Sequence, residues 1–502
     1  MTFTRAARMA CLAFIANALA ATATASDQHN FVVLIPEAIH SADVNVRETP
    51  ALARLRDEGV FYGRTFSGFP EIGTNNRSRS AVYRAAKLVE HRRGGYDTSM
   101  FFRVRAVPSD EWIDEALTEL QAEGRPFILI YRLPISDNGV ASTLLVDTDR
   151  TLAAVEGRLK EHGLFDSTNI VVAAEHGRST VAKQSRTSYT RDISFSGVPR
   201  GKLPPGFLAI DLIKAMLRED GGLNLYDSDG DGKLVEWWAG RHPRSGNAVI
   251  AAKRERPHVR IESHGGYDVI YMPDELDKAE VARRGRYIIE NLFQQDYVSG
   301  VFVNEQRIGQ VGGALSLDHL IVSNDEGDQL PDIVVSFTSL ITTCDGQKCA
   351  VSVADAAAQE GDDLGTGFSR AETESFMAAR GPDFREAFSS NTPASPADMM
   401  PTIEGLTLRR TGQHTSKDAR ELTESLRGFE RTRLPKVRER VVESKPSGAG
   451  EHTVVHLLSV NGVDYFSAAG APGQSLGLPI GEEPYYWHWE SPLKLVRITI
   501  KP

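Results

Sequence analysis

The sequence predicts an α/β fold built on a mostly parallel sheet, on the strength of three observations. First, FVVLIP, PFILIYRLPIS and NIVVAA are apolar runs of strand length, as strands buried on both faces require. Second, helix-periodic segments alternate with these runs, as crossovers between parallel strands demand. Third, each run ends on an acid: Glu37, Asp137 and Glu175, the last followed by His176 and Gly177. Ligands of open α/β sheets bind beyond the carboxyl ends of the strands. The three acids and the imidazole are therefore expected in one crevice, where carboxylate and imidazole suit a divalent metal such as zinc. Acids also follow buried strands simply because loops are polar; the threefold recurrence with a histidine favours a site.

Taken in order, residues 1–25 read as a signal peptide. Arg5 and Arg8 precede the short apolar stretch MACLAFIANALA, and Ala23-Thr24-Ala25 is a cleavage motif. The expected product is exported, periplasmic or secreted, with no later stretch suited to spanning a membrane. After FVVLIP, the segment TPALARLRDEGV has helical spacing and Gly59 as its stop. Trp112 to Leu120 reads as the helix before PFILIYR, and Leu152 to His162 as the helix before NIVVAA. LPPGFLAIDLIKAMLRED is a turn followed by an amphipathic helix. From about Asp227 to Asp345 the chain reads as an insert of mixed character, with VFVNEQ and DIVVSF as strands. The stretch SSNTPASPAD is a loop before a further helix. Residues 26–430 thus form the α/β domain, and 431–502 a β-rich segment that includes HTVVHLLSV and KLVRITI.

Composition bounds the function. With 502 residues, 41% hydrophobic, the chain can bury a large core. The net charge of −10, and the lack of any basic run, argue against nucleic acid or an anionic membrane surface as partner. Of three cysteines, Cys11 leaves with the signal. Cys344 and Cys349 flank the turn-like DGQK, and an oxidising compartment would join them as a structural disulfide.

Several strings resemble a known family. TPALARLRDEGV, FPEIGTNN, AAEHGRSTVAKQSRTS, LPPGFLAIDL, HGGYDVIYMP and GFSRAETESFMAARGPDF look like bacterial type I phosphodiesterase/nucleotide pyrophosphatase proteins of the alkaline phosphatase superfamily. HTVVHLLSVNGVDYFSAAGAPG looks like that group's C-terminal segment, so the resemblance runs from roughly Phe31 to Gly473. It implies an alkaline-phosphatase-like sheet sandwiched by helices. It also implies hydrolysis of phosphodiester or pyrophosphate bonds by two zinc ions, which roughly 4 Å apart clamp both oxygens of an in-line displacement. A metal-bound Thr or Ser is the family's nucleophile.

Carried over residue by residue, the resemblance implies a degraded site. The first-strand Asp matches Glu37, and the Asp-His pair matches Glu175 and His176. Gly73 falls at the nucleophile, with Thr74 able to serve only if the turn shifts by one residue. Asp137 keeps one ligand of the second metal, but its partner His falls at Val140 or Ala141. The family's last His aligns with Gly365, and its phosphate-binding Asn with Asp97. One divalent metal, zinc, can still be envisaged on Glu37, Glu175 and His176; a two-zinc centre is not expected.

A second acidic motif, Asp227-Ser-Asp229-Gly-Asp231-Gly232, follows the opening of a calcium loop but has Trp238 at position twelve. It reads either as a weak calcium site or as an Asp/Gly turn. His264, His414, His452 and His456 are poor replacement ligands by position, and YYWHW reads as packing. Two functions follow as expectations. One is an exported, catalytically impaired protein that binds a phosphoester-like anion or a protein partner through the old crevice. The other is an active hydrolase using Thr74 and a single metal.

Overall fold

The computed structural model describes residues 29–67, 101–105, 110–122, 126–133, 141–218, 221–229, 232–320, 329–344, 347–408, 419–429, 435–445, 453–470, 485–491 and 494–499. The expected signal peptide and Gly73, Thr74, Asp97, Asp137, Val140, Asp231, His414 and His452 lie outside the described residues.

The chain is α/β with several mixed sheets. The first sheet has seven strands, and its centre is the fully buried strand Asn30–Pro36. Thr168–Ala173 pairs parallel on one side of it and Phe127–Leu133 parallel on the other, followed by Phe101–Arg105. Beyond Thr168–Ala173 the strand Met377–Arg380 runs antiparallel, then Val60–Tyr62 and Phe388–Ser390 complete the sheet. The expectation of a mostly parallel sheet therefore describes this sheet and not the whole molecule. One face packs against the helices Pro50–Glu58, Asp110–Ala122 and Ala141–Glu161, through residues such as Leu52, Leu117 and Leu152. The other packs against Met399–Leu408 and the segment carrying Leu422 and Leu426.

Local signals explain these elements. Pro50 opens its helix at the position where a missing N–H costs nothing, and Gly59 follows its last residue. The helix Ala141–Glu161 begins well before the expected Leu152, because Leu144, Leu145 and Leu152 continue one apolar stripe.

The second seven-stranded sheet spans Asn224–Asp227 to Ile333–Phe337 and is antiparallel except for one short edge pairing. Among the described residues its hydrogen bonding does not continue that of the first sheet. The helices Phe207–Met216 and Lys278–Leu292 cover one face, and the strands Val454–Val460 and Val463–Gly470 pack on the other. Towards the C-terminus lie a three-stranded antiparallel sheet containing Val437–Glu443 and the hairpin Tyr485–Ser491 with Lys494–Thr499. In the hairpin Ser339–Cys344 with Gln347–Val353, Cys344 stands opposite Gln347 and Cys349 opposite Thr342. Among the described residues, no helix is long and apolar enough to cross a membrane.

Candidate functional site

The site is built at the carboxyl ends of three adjacent strands. The central strand lies between its two parallel neighbours, and chain connectivity leaves it in opposite directions, so the crevice expected at such a switch point opens here. Pairing continues past the strand ends. Glu37 N–H donates to Leu133 O at 2.9 Å, Glu175 N–H to Pro36 O at 3.0 Å and His176 N–H to Glu37 O at 3.2 Å. These bonds hold Glu175 and His176 beside Glu37, as the sequence suggests.

Side-chain alternation then sorts the groups. Ala38, Leu133 and Ala174 belong to the cluster on one face, whereas Ile35, Ile130 and Ala173 belong to the other. With a period of two, Glu37, Arg132 and Glu175 all fall on the latter face. Arg132 stands in register with Ile35 and extends across the central strand's end, bringing its Nη2 to 3.5 Å from Glu175 Oε2. Among the described residues, Glu175 Oε1 and Arg132 Nε are both buried without a hydrogen-bond partner. Orphaned buried polar atoms of this kind each cost about 1–3 kcal/mol.

His176 is oriented by its own backbone. Its Nδ1 lies 2.8 Å from Gly177 O; a carbonyl only accepts, so Nδ1 carries the hydrogen and Nε2 keeps its lone pair. Gly365 lies directly against this ring. A Cβ built on Gly365 would stand 2.0 Å from His176 Cε1 and 2.2 Å from Nδ1. Gly365 thus adjoins His176 but contributes no donor side chain. Gly177 is equally constrained, since a Cβ there would meet Ala371 O and Glu374 O at 2.1 Å. Below, Ser179 Oγ donates to the buried Glu372 at 2.7 Å, and Arg178 pairs with Asp43 at 2.7 Å.

The residues present do not fit zinc well. Among the described residues, no group of three or more His, Cys, Asp or Glu side chains is arranged to hold a metal ion. Glu175 has one oxygen turned toward a guanidinium, and Gly365 adds nothing. Arg132 was missed by sequence reasoning, although a lone cation inside the buried run FILIYRL was a readable signal.

In the acidic loop near Asp227, oxygens of the described residues accept hydrogen bonds from the protein itself. Asp227 Oδ1 accepts from Asp229 N–H at 3.0 Å and Oδ2 from Arg244 N–H at 3.2 Å, while Asp229 Oδ1 accepts from Asn247 at 2.8 Å. Gly232, at φ +64°, has the Arg254 guanidinium packed against it. Of the remaining histidines, His264 stacks on Tyr267 and His456 lies 3.6 Å from Glu439 within a strand.

A second ionisable cluster, also missed, lies inside the molecule. Asp268 and Asp355 are fully buried, and burial together with the neighbouring Asp355 carboxyl pushes Asp268 well above the usual carboxylate range. Burial also pushes Asp355 up to about 6. Asp355 caps the helix Phe207–Met216 by accepting from Gly206 N–H at 2.5 Å and Leu208 N–H at 3.3 Å. The Lys183 ammonium donates to Ala354 O at 2.7 Å and Ala356 O at 2.9 Å, and burial lowers its pKa. No family model matches this chain, and a search of curated proteins finds no match.

Proposed function

We propose that this chain is an exported protein of the type I phosphodiesterase/nucleotide pyrophosphatase kind, in the alkaline phosphatase superfamily, with impaired catalysis. In this reading the crevice binds a phosphoester-like anion or a partner protein and does not turn it over. The observation that carries the reading is the approach of Arg132 to Glu175, which gives a would-be metal ligand an internal cation. Gly365 against His176 adds to it, because that position offers no further donor. Loss of a nucleophile and of metal clamping removes effects worth many orders of magnitude in rate. The test is hydrolysis of bis(p-nitrophenyl) phosphate and of ATP by the zinc-loaded full chain. Rates at background are expected; turnover near the usual enzyme range, above about 1 per second, overturns the reading.

One observation favours the alternative, an active phosphodiester or pyrophosphate hydrolase using Thr74 with one metal. Among the described residues Glu175 Oε1 is buried with no hydrogen-bond partner, and His176 Nε2 keeps its lone pair. If hydrolysis is found, Thr74→Ala decides whether that hydroxyl is its nucleophile.

A further inference from the structure

We infer that a cleft at the amino ends of the first sheet's parallel strands binds a small zwitterion, an amino acid or dipeptide, with Arg385 taking its carboxylate and Asp166 its ammonium group. The cleft holds about 710 Å³, within the range of about 300–1,000 Å³ usual for small-molecule sites. Thr168, which opens the strand Thr168–Ala173, and Arg380, which ends the strand Met377–Arg380, both line it. It therefore lies at the opposite end of the sheet from Glu175, and the inference goes beyond the reading of the crevice.

A backbone turn builds the wall. Gly381, at φ +135°, lets the chain fold back on the strand start, where a Cβ would meet Asn169 Cα at 2.6 Å. Asn169 then clamps the turn, donating to Asp383 Oδ2 at 2.6 Å and accepting from Asp383 N–H at 3.1 Å. Ala387, also in the wall, sits at φ +46° and is held there by its N–H bond to Glu58 O at 2.8 Å. Left-handed backbone at a residue with a side chain is strained, and such positions cluster where ligands are gripped.

Most of the cleft's charges are spent within the protein. Arg380 lies 3.4 Å from Glu58 and 3.6 Å from Glu156, Arg427 pairs with Glu386 at 2.6 Å, and Asp57 pairs with Arg56 at 2.7 Å. Among the described residues, Arg385 and Asp166 are the lining charges left without an ion pair. The Arg385 side chain donates from Nη1 to Glu424 O at 3.2 Å and stacks on Phe388, with Cζ 3.7 Å from the ring centroid. The stack fixes the plane of a fork whose other N–H groups match a carboxylate in two parallel bonds. An anion alone would leave Asp166 unbalanced, and a cation alone would leave Arg385 so. A molecule carrying both charges answers both.

The test dialyses the purified full chain to equilibrium against a mixture of the common amino acids and their alanyl dipeptides, with retained compounds measured by mass spectrometry. Saturable retention of at least one compound is expected. Arg385→Met and Asp166→Asn should each weaken it at least about tenfold, as should amidating the compound's carboxylate or acetylating its amine. Arg385→Gln serves if Arg385→Met fails to fold. Retention of no compound, or retention that survives either substitution or either cap, overturns the inference.

Discussion

Two regions of this molecule assemble the same ingredients, carboxylates and one cation, in different settings. In the crevice, Glu175 and Arg132 meet at 3.5 Å and each leaves a buried polar atom unpartnered among the described residues. In the second sheet, Asp355 directs both oxygens to helix N–H groups, and Lys183 donates to the carbonyls on either side of it. Asp268 adjoins that cluster, its carboxyl pushed well above the usual range by burial and by the adjacent carboxyl, and its two oxygens are buried without a hydrogen-bond partner among the described residues. The contrast is one of place: the crevice lies at the ends of strands, whereas the second cluster is sealed inside the molecule and its best-bonded members serve a helix end and a loop.

The sharpest way to break the comparison is to remove Lys183. Lys183→Met leaves the buried Asp355 without its cation, and a loss of about 3–5 kcal/mol is expected in urea unfolding. A loss under about 1 kcal/mol would place the two regions on the same footing.

A smaller effect should appear with pH. Burial pushes Asp211 up to about 7 and both Asp355 and Asp398 up to about 6. A raised folded value means that the folded chain holds protons the unfolded chain has already released. Stability from these groups is complete below about pH 4 and is lost as pH rises through 6 to 7. Unfolding followed from pH 5 to pH 8 should therefore show a decline of a few kcal/mol. A curve that rises across this window would contradict the raised carboxyls.

The smallest expected change lies in the crevice. Gly365→Ala would press on the His176 ring, at about 1–3 kcal/mol if the ring cannot turn away. Unchanged stability together with an unmoved His176 resonance in NMR would show that the contact is slack.

The elements themselves were largely legible. FVVLIP, PFILIYR and NIVVAA became three adjacent parallel strands, and the helix ending at Gly59 stopped where glycine predicted. Boundaries were less so: the helix expected from Leu152 starts at Ala141, since periodicity marks a stripe better than its beginning. The sequence reading left the insert only as mixed, because a sheet of its own depends on pairings that alternation cannot assign to partners.

What the sequence determined by itself was local. Apolar runs of strand length, helical spacing and the acids at strand ends follow from backbone periodicity and from the polarity of loops. Glu37, Glu175 and His176 were visible as neighbours for that reason. Only the tertiary structure decided that Arg132 would reach across the central strand to Glu175, that Gly365 would lie on the His176 ring, and that Asp268 would share its surroundings with Asp355. Period two tells which face a side chain takes, but the order of strands in a sheet and the packing of distant loops choose its company, and that company sets the charge it can carry.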